Sequence, residues 1–157
     1  MGTAAVQVGD QAPDFELPAP EGQTLRLSDF RGKSAVVLFF FPKADTPVCT
    51  AEACAFRDSY EALVDAGAEV IGISSDGAET HRRFAGRYGL PYRLVSDPRG
   101  ALRTLYGVPK TLGLFPGRVT YVIDRQGTVR HVFSAQLQAA QHVDEAMRVL
   151  QSLPGGE

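Results

Sequence analysis

Apolar and polar positions fall in blocks along this chain, and the blocks predict strands alternating with helices. Ala35–Phe41 is a continuous apolar run closed by Pro42, the pattern of a strand covered on both faces. A helix is predicted from about Pro47 to Ala66, with Phe56, Tyr60 and Leu63 at helical spacing. Glu69–Ser74 reads as a second buried strand and Ala78–Tyr88 as a second helix. A short strand at Tyr92–Val95 and a helical piece at Gly100–Tyr106 follow. Val119–Ile123 and Thr128–Phe133 read as strands joined by a hairpin turn at Asp124–Gly127. A last helix, from about His142 to Leu153, carries Val143, Ala146, Met147, Leu150 and Leu153 on one stripe. Ahead of all this, Phe15–Leu17, Glu21-Gly22 and Thr24–Leu27 read as a small hairpin or an extended lead-in.

This order predicts an α/β fold, a central mixed β-sheet flanked by helices. One domain over residues 1–157 is expected, loose only at about 1–7 and 154–157. Ligands of such sheets sit at the carboxyl ends of the strands. The segment from Pro42 to Cys54 follows the first buried strand and is therefore the first place to look for chemistry.

Composition narrows the function classes. With 44% hydrophobic and 22% charged residues in 157, the chain has the make-up of a soluble globular domain. Net charge is −2, and the 13 arginines and 3 lysines are scattered among acids, so no footprint for nucleic acid is expected. No stretch approaches the roughly 20 apolar residues of a membrane span. Met1–Asp10 has neither a basic start nor an apolar run, and Val6 breaks the myristoylation pattern, so a cytoplasmic location is expected. Two cysteines are too few for a disulfide scaffold; in a reducing compartment such a close pair points to catalysis, redox chemistry or metal binding.

Thr46 is a good N-cap and Pro47 a good first helical residue, which puts Cys49 third in the helix. The partial positive end of a helix and its free N–H groups favour the ionised form of a thiol placed there, the form that acts as a nucleophile. Cys54 lies five residues on. In a regular helix that spacing separates the Cα atoms by about 8–9 Å, whereas a disulfide needs about 4.4–6.8 Å. Either the pair has no joint role or the first turns unwind during turnover. The neighbours of Cys54 on the helix surface, Thr50, Ala51, Arg57 and Asp58, are mostly polar, while Cys49 shares the stripe of Ala53, Phe56 and Tyr60. A purely structural cysteine would prefer the apolar stripe, which favours a resolving role for Cys54. Three other readings stay open on the residues alone. They are a thiol–disulfide oxidoreductase (though four residues, not two, separate the cysteines), a copper-binding module using the cysteines with His131, and an interaction domain.

The segment Pro42-Lys-Ala-Asp-Thr46-Pro-Val-Cys49 resembles the peroxiredoxin pattern P-x-x-x-T-x-x-C, and Thr50-Ala-Glu52-Ala-Cys54 resembles its Q-type subgroup, the bacterioferritin comigratory proteins. The likeness extends through Val8-Gly-Asp-Gln-Ala-Pro-Asp-Phe15, Glu69–Ser74, Val95-Ser-Asp-Pro98 and Arg118-Val-Thr-Tyr-Val-Ile-Asp124. It implies a thioredoxin-like fold with an N-terminal hairpin extension. By the same resemblance Cys49 is the peroxidatic cysteine and Cys54 the resolving one, with thioredoxin or a similar dithiol donor reducing their disulfide. Pro42 would shield the thiolate, Thr46 would hydrogen-bond the peroxide oxygen, and Arg118 would pair with the thiolate and the transition state. Glu52 is expected to orient Arg118 or to cap the helix start. Neither cofactor nor metal is implied, and the subgroup is often monomeric. His81 and His131 are expected at the surface, and His142 at the N-terminus of the last helix.

Overall fold

The computed structural model describes residues 6–18, 24–41, 44, 47–97, 100–107, 110–111, 115–116, 119–134 and 139–153. Two short strands, β1 (Glu16–Pro18) and β2 (Thr24–Arg26), form the expected N-terminal hairpin, and a single 3-10 turn (Leu27–Phe30) follows. The main elements are β3 (Ala35–Phe40), α1 (Pro47–Asp58), α2 (Tyr60–Asp65), β4 (Ala68–Ser74), α3 (Ala78–Tyr88), β5 (Arg93–Ser96) and α4 (Ala101–Tyr106). After them come the two-residue strands β6 (Lys110–Thr111) and β7 (Phe115–Pro116), then β8 (Val119–Ile123), β9 (Val129–Ser134) and α5 (Ala139–Ser152).

The sheet has the order β5-β4-β3-β8-β9. β3 runs parallel to β4 and antiparallel to β8, so the sheet is mixed, as the block pattern predicts. All six residues of β3 are buried, and their alternation divides the core in two. Val37 and Phe39 face a cluster with Cys49, Ala53 and Phe56 of α1, Phe84 of α3, and Val143 and Leu150 of α5. Val36, Leu38 and Phe40 face the other layer, built from Phe15, Leu25 and Leu27 of the N-terminal extension with Leu102 and Tyr106 of α4. A central strand with helices on one face and the extension plus α4 on the other has no polar face to offer, hence the unbroken apolar run.

Phe39 anchors α1 to the sheet. Its ring stacks on Phe56 with centroids 4.5 Å apart and meets Tyr92 edge-on at 5.7 Å. The space for it comes from Gly72 on β4, where a Cβ would stand 2.8 Å from both Phe39 Cζ and Leu94 Cδ2.

Four expectations need correction. The helix predicted over Pro47–Ala66 is two helices, broken at Ser59, whose ψ of 3° leaves the helical region. Serine competes for local backbone bonds and tolerates such a break. The last helix begins at Ala139, three residues early, so His142 is its fourth residue and fully buried. His81 is also fully buried, on the inner face of α3, and His131 is half-buried against Glu145 of α5. Finally, β6 and β7 were not expected, because two residues are too short to show a period. Among the described residues no helix is long and apolar enough to cross a membrane.

Candidate active site

The parallel strands β3, β4 and β5 end together, at Phe40, Ser74 and Ser96, and the site forms around these carboxyl ends. Cys49 is the third residue of α1 and 1% exposed. Cys54 lies in the same helix, half-buried, and the two cysteines are not joined by a disulfide. The division of α1 into faces follows the pattern: Cys49, Ala53 and Phe56 enter the core, whereas Ala51 and Asp58 are exposed. Pro42, Thr46 and Arg118 lie outside the described residues. Their chain neighbours Phe41, Pro47 and Val119 are described, and Val119 pairs with Phe40 at the end of β3.

The loop between β3 and α1 is held from two sides by groups that no sequence motif singled out. On one side the Ala44 N–H donates to Asp76 Oδ2 at 2.8 Å, and the Ser74 hydroxyl donates to the same oxygen at 2.8 Å. That hydroxyl has a single proton, so its oxygen accepts from His81 Nε2–H across 2.7 Å, and Ser96 closes the chain at His81 Nδ1, 3.4 Å away. Two hydroxyl partners accommodate either charge state of the ring, and it is burial that favours the neutral one, lowering the pKa of His81 below its usual 6.5 against the opposing pull of Asp76. A group with a depressed basic pKa in the fold binds protons better when unfolded. Its contribution to stability is thus complete above about pH 6.5 and is lost as pH falls toward the folded value. Thermal midpoints measured from pH 7.5 to 5.5 should drop more steeply for the wild type than for His81→Gln, which keeps an amide donor but cannot be protonated; parallel curves would exclude His81 as the source.

On the other side Arg103 of α4 donates from Nη2 to the Phe41 carbonyl at 3.1 Å and lies 5.6 Å from the Phe40 ring centroid. Burial lowers the pKa of its guanidinium, and Asp97, Tyr121 and Cys49 oppose that effect by their negative charge when ionised. Asp97, the acid of the Val95-Ser-Asp-Pro98 stretch, fixes α4 in place by accepting from the Leu102 and Arg103 N–H groups at 3.0 Å each. Arg103 brings a cation to the end of β3; one of 13 arginines in the chain, and placed in a six-residue helix, it left no mark in the sequence pattern.

Glu52, one turn beyond Cys49, is fully buried, with Oε2 3.4 Å from His142 Nδ1. The same nitrogen lies 2.6 Å from Thr120 Oγ1 on β8, and Phe133 packs edge-on against the ring. As the sixth residue of α1, Glu52 is too far along to cap the helix start. The histidine that a copper-binding module would need, His131, instead donates to Glu145 Oε1 at 2.8 Å. Among the described residues no group of three or more His, Cys, Asp or Glu has the arrangement of a metal site.

Comparison with known proteins shows the family and the fold. The sequence model of the AhpC/TSA family matches residues 8–132. The chain is 49% identical over 151 residues to Peroxiredoxin Q, chloroplastic, of Sedum lineare, covering 96% of this chain and 81% of that protein. Against the protein of the same name from Suaeda salsa it is 50% identical, covering 96% and 70%. Among solved structures, the peroxidoxin BcpB of Mycobacterium tuberculosis superposes with a TM-score of 0.87 at 37% identity, covering 96% of this chain and 99% of that one. The bacterioferritin comigratory protein of Xanthomonas campestris, described for its alkyl peroxide reduction activity, gives 0.82 at 26%, covering 96% and 98%. The architecture is the thioredoxin-like one of these structures.

Proposed function

Since the chain belongs to the AhpC/TSA family and to its peroxiredoxin Q branch, we propose that it is a thiol peroxidase that reduces hydrogen peroxide and alkyl hydroperoxides at Cys49. The observation that carries this reading is the place of Cys49. It is buried at the third residue of α1, beside the carboxyl end of β3, with the Arg103 guanidinium near enough to feel its charge. The thiolate attacks one peroxide oxygen, and the O–O bond breaks. Sulfur keeps that oxygen as a sulfenic acid, and the other oxygen leaves with a proton as water or an alcohol. Both the attacking sulfur and the leaving oxygen carry partial negative charge, so fixed cations and N–H donors stabilise them preferentially.

In this proposal Thr46 donates to the peroxide oxygen, Pro42 keeps water from the thiolate, and Arg118 pairs with the sulfur and the transition state. The described neighbour of Arg118, Val119, pairs with Phe40 where β3 delivers the chain to the site, which supports that role. Arg103 and Asp76 act as positioning residues through Phe41 and Ala44. Arg118→Ala should slow peroxide attack by about 10²-fold, the scale of losing one preorganised charge donor, and Arg118→Lys should recover only part, since lysine lacks the planar fork. A single-turnover oxidation rate equal to wild type in Arg118→Ala would remove the residue from the mechanism.

Cys54 then condenses with the sulfenic acid, releasing water and leaving a Cys49–Cys54 disulfide, and a thioredoxin-like dithiol returns both thiols. The protein is proposed to work as a monomer: the large apolar side chains most exposed among the described residues, Val8, Val64 and Leu105, are scattered. The cytoplasm is the proposed compartment. The plant relatives are chloroplastic by name, and a fluorescent fusion in the source cell decides between the two. Peroxide consumption driven by a dithiol donor, compared between wild type and Cys49→Ser, tests the activity itself.

A further inference from the structure

The same helix that holds Cys49 must open for Cys54 to reach it, and one contact is placed to oppose that opening. Tyr92, at the start of β5, is 5% exposed, and its hydroxyl donates to the Ala53 carbonyl at 2.6 Å. Ala53 immediately precedes Cys54, and its carbonyl already accepts a bond within the helix in regular geometry. The phenol is therefore an additional donor, not a replacement for a missing one. Burial, reinforced by the negative charges of Glu52 and Cys54 when ionised, holds its pKa well above the usual 10, so it donates at every working pH. One turn further on, Arg57 donates from Nη1 to the Tyr88 carbonyl at 2.7 Å, fixing the end of α1 to the same α3–β5 connection. The two bonds differ in what oxidation asks of them. Arg57 lies beyond the segment between the cysteines, whereas Ala53 lies inside it and must leave its helical place when about 8–9 Å between Cα atoms shrinks to disulfide range.

We propose that Tyr92 is a positioning residue that latches α1 closed and so sets how long the Cys49 sulfenic acid waits for Cys54. This inference rests on the reading of Cys49 and Cys54 given above. Peroxide attack takes place in the closed helix, which dominates with or without the latch, so its rate does not depend on the hydroxyl. Condensation of the Cys49 sulfenic acid with the Cys54 thiol, which forms the S–S bond and releases water, needs the open form. Its rate follows the open population. A longer wait also exposes the sulfenic acid to a second peroxide, which takes it to the sulfinic acid.

The test is Tyr92→Phe, which keeps the ring against Phe39 and Tyr60 and removes only the hydroxyl. Tyr60→Phe serves as control, since it deletes a comparable bond, Tyr60 to Glu69 Oε1 at 2.6 Å, outside the cysteine segment. Rapid mixing with one equivalent of peroxide, acid quench, thiol labelling and mass spectrometry separate sulfenic acid formation from disulfide formation. In Tyr92→Phe, attack should stay within about twofold of wild type. Disulfide formation should speed up by roughly three- to tenfold, the range for one net hydrogen bond. The peroxide dose that over-oxidises half of Cys49 should rise with it. Tyr60→Phe should change neither rate, even where it lowers the melting temperature. An unchanged or slower disulfide step in Tyr92→Phe overturns the latch, and so does a loss in both steps, which would make the hydroxyl a general support of the site. Failure of the wild type to form any Cys49–Cys54 disulfide is a separate result that removes the resolving role itself and the latch with it.

Discussion

Cys49→Ser should lower dithiol-driven peroxide consumption to the uncatalysed background, a loss on the order of 10⁴-fold or more, as expected for removing the nucleophile of a covalent mechanism. A serine hydroxyl stays protonated near neutral pH, and neither the helix start nor Arg103 can supply enough stabilisation to ionise it. The substitution is also a fair one structurally. It replaces one small group by another at a position 1% exposed in the core beside Ala53 and Phe56. The cost of burying the hydroxyl, about 1–3 kcal/mol, should leave the chain folded. Circular dichroism and a melting curve establish that, and the peroxide assay then reads chemistry alone. Substantial turnover by a folded Cys49→Ser protein would end the proposal.

The second large effect is expected from Cys54→Ser. With peroxide in excess and a dithiol donor present, the variant should consume one equivalent and then stop, holding Cys49 as a sulfenic acid that passes to the sulfinic acid. A catalytic cycle becomes a single event, so steady-state turnover disappears while the first oxidation survives. The physical reason lies in the helix. Both cysteines lie, without a disulfide, within one continuous α1, from Pro47 to Asp58, and this closed form is the reduced state in the proposed cycle. Oxidised wild type must give up about one to two turns there. Ala51, Ala53 and Ala55 are small, so opening withdraws few large side chains from the core. Amide hydrogen exchange over residues 46–58 should show protection in the reduced protein and its loss on oxidation. Equal protection in both states, with the disulfide proven by mass spectrometry, would contradict the unwinding step.

Much of this protein is legible along the chain because its strands and helices are locally consistent. The unbroken apolar run of β3 announces burial on both faces, and the structure places its side chains in two separate core layers. The limits of α3 are those read from the sequence, Ala78 to Tyr88. Cys49 falls third in α1, as the Thr46-Pro47 pair implies, and the polar surroundings of Cys54 do leave it half-buried. All of these depend on backbone period, capping chemistry and the choice of apolar or polar residue, which neighbours in the sequence express directly.

What holds the site depends on contacts that no local pattern contains. Asp76 reaches Ala44, Arg103 reaches Phe41, Thr120 reaches His142, and Tyr92 reaches Ala53. Each pair is brought together by the strand order β5-β4-β3-β8-β9, which sets parallel carboxyl ends side by side and lays α1 and α5 on one face. His81 shows the difference most clearly. It reads as a surface group, yet it is fully buried, with the hydroxyls of Ser74 and Ser96 across the sheet end at its two ring nitrogens. The sequence by itself determined the elements and the chemical type of the nucleophile. Tertiary structure alone decided which distant donors, acceptors and charges surround it, because hydrogen bonding and desolvation act through space, between residues that the chain's own periodicity cannot relate.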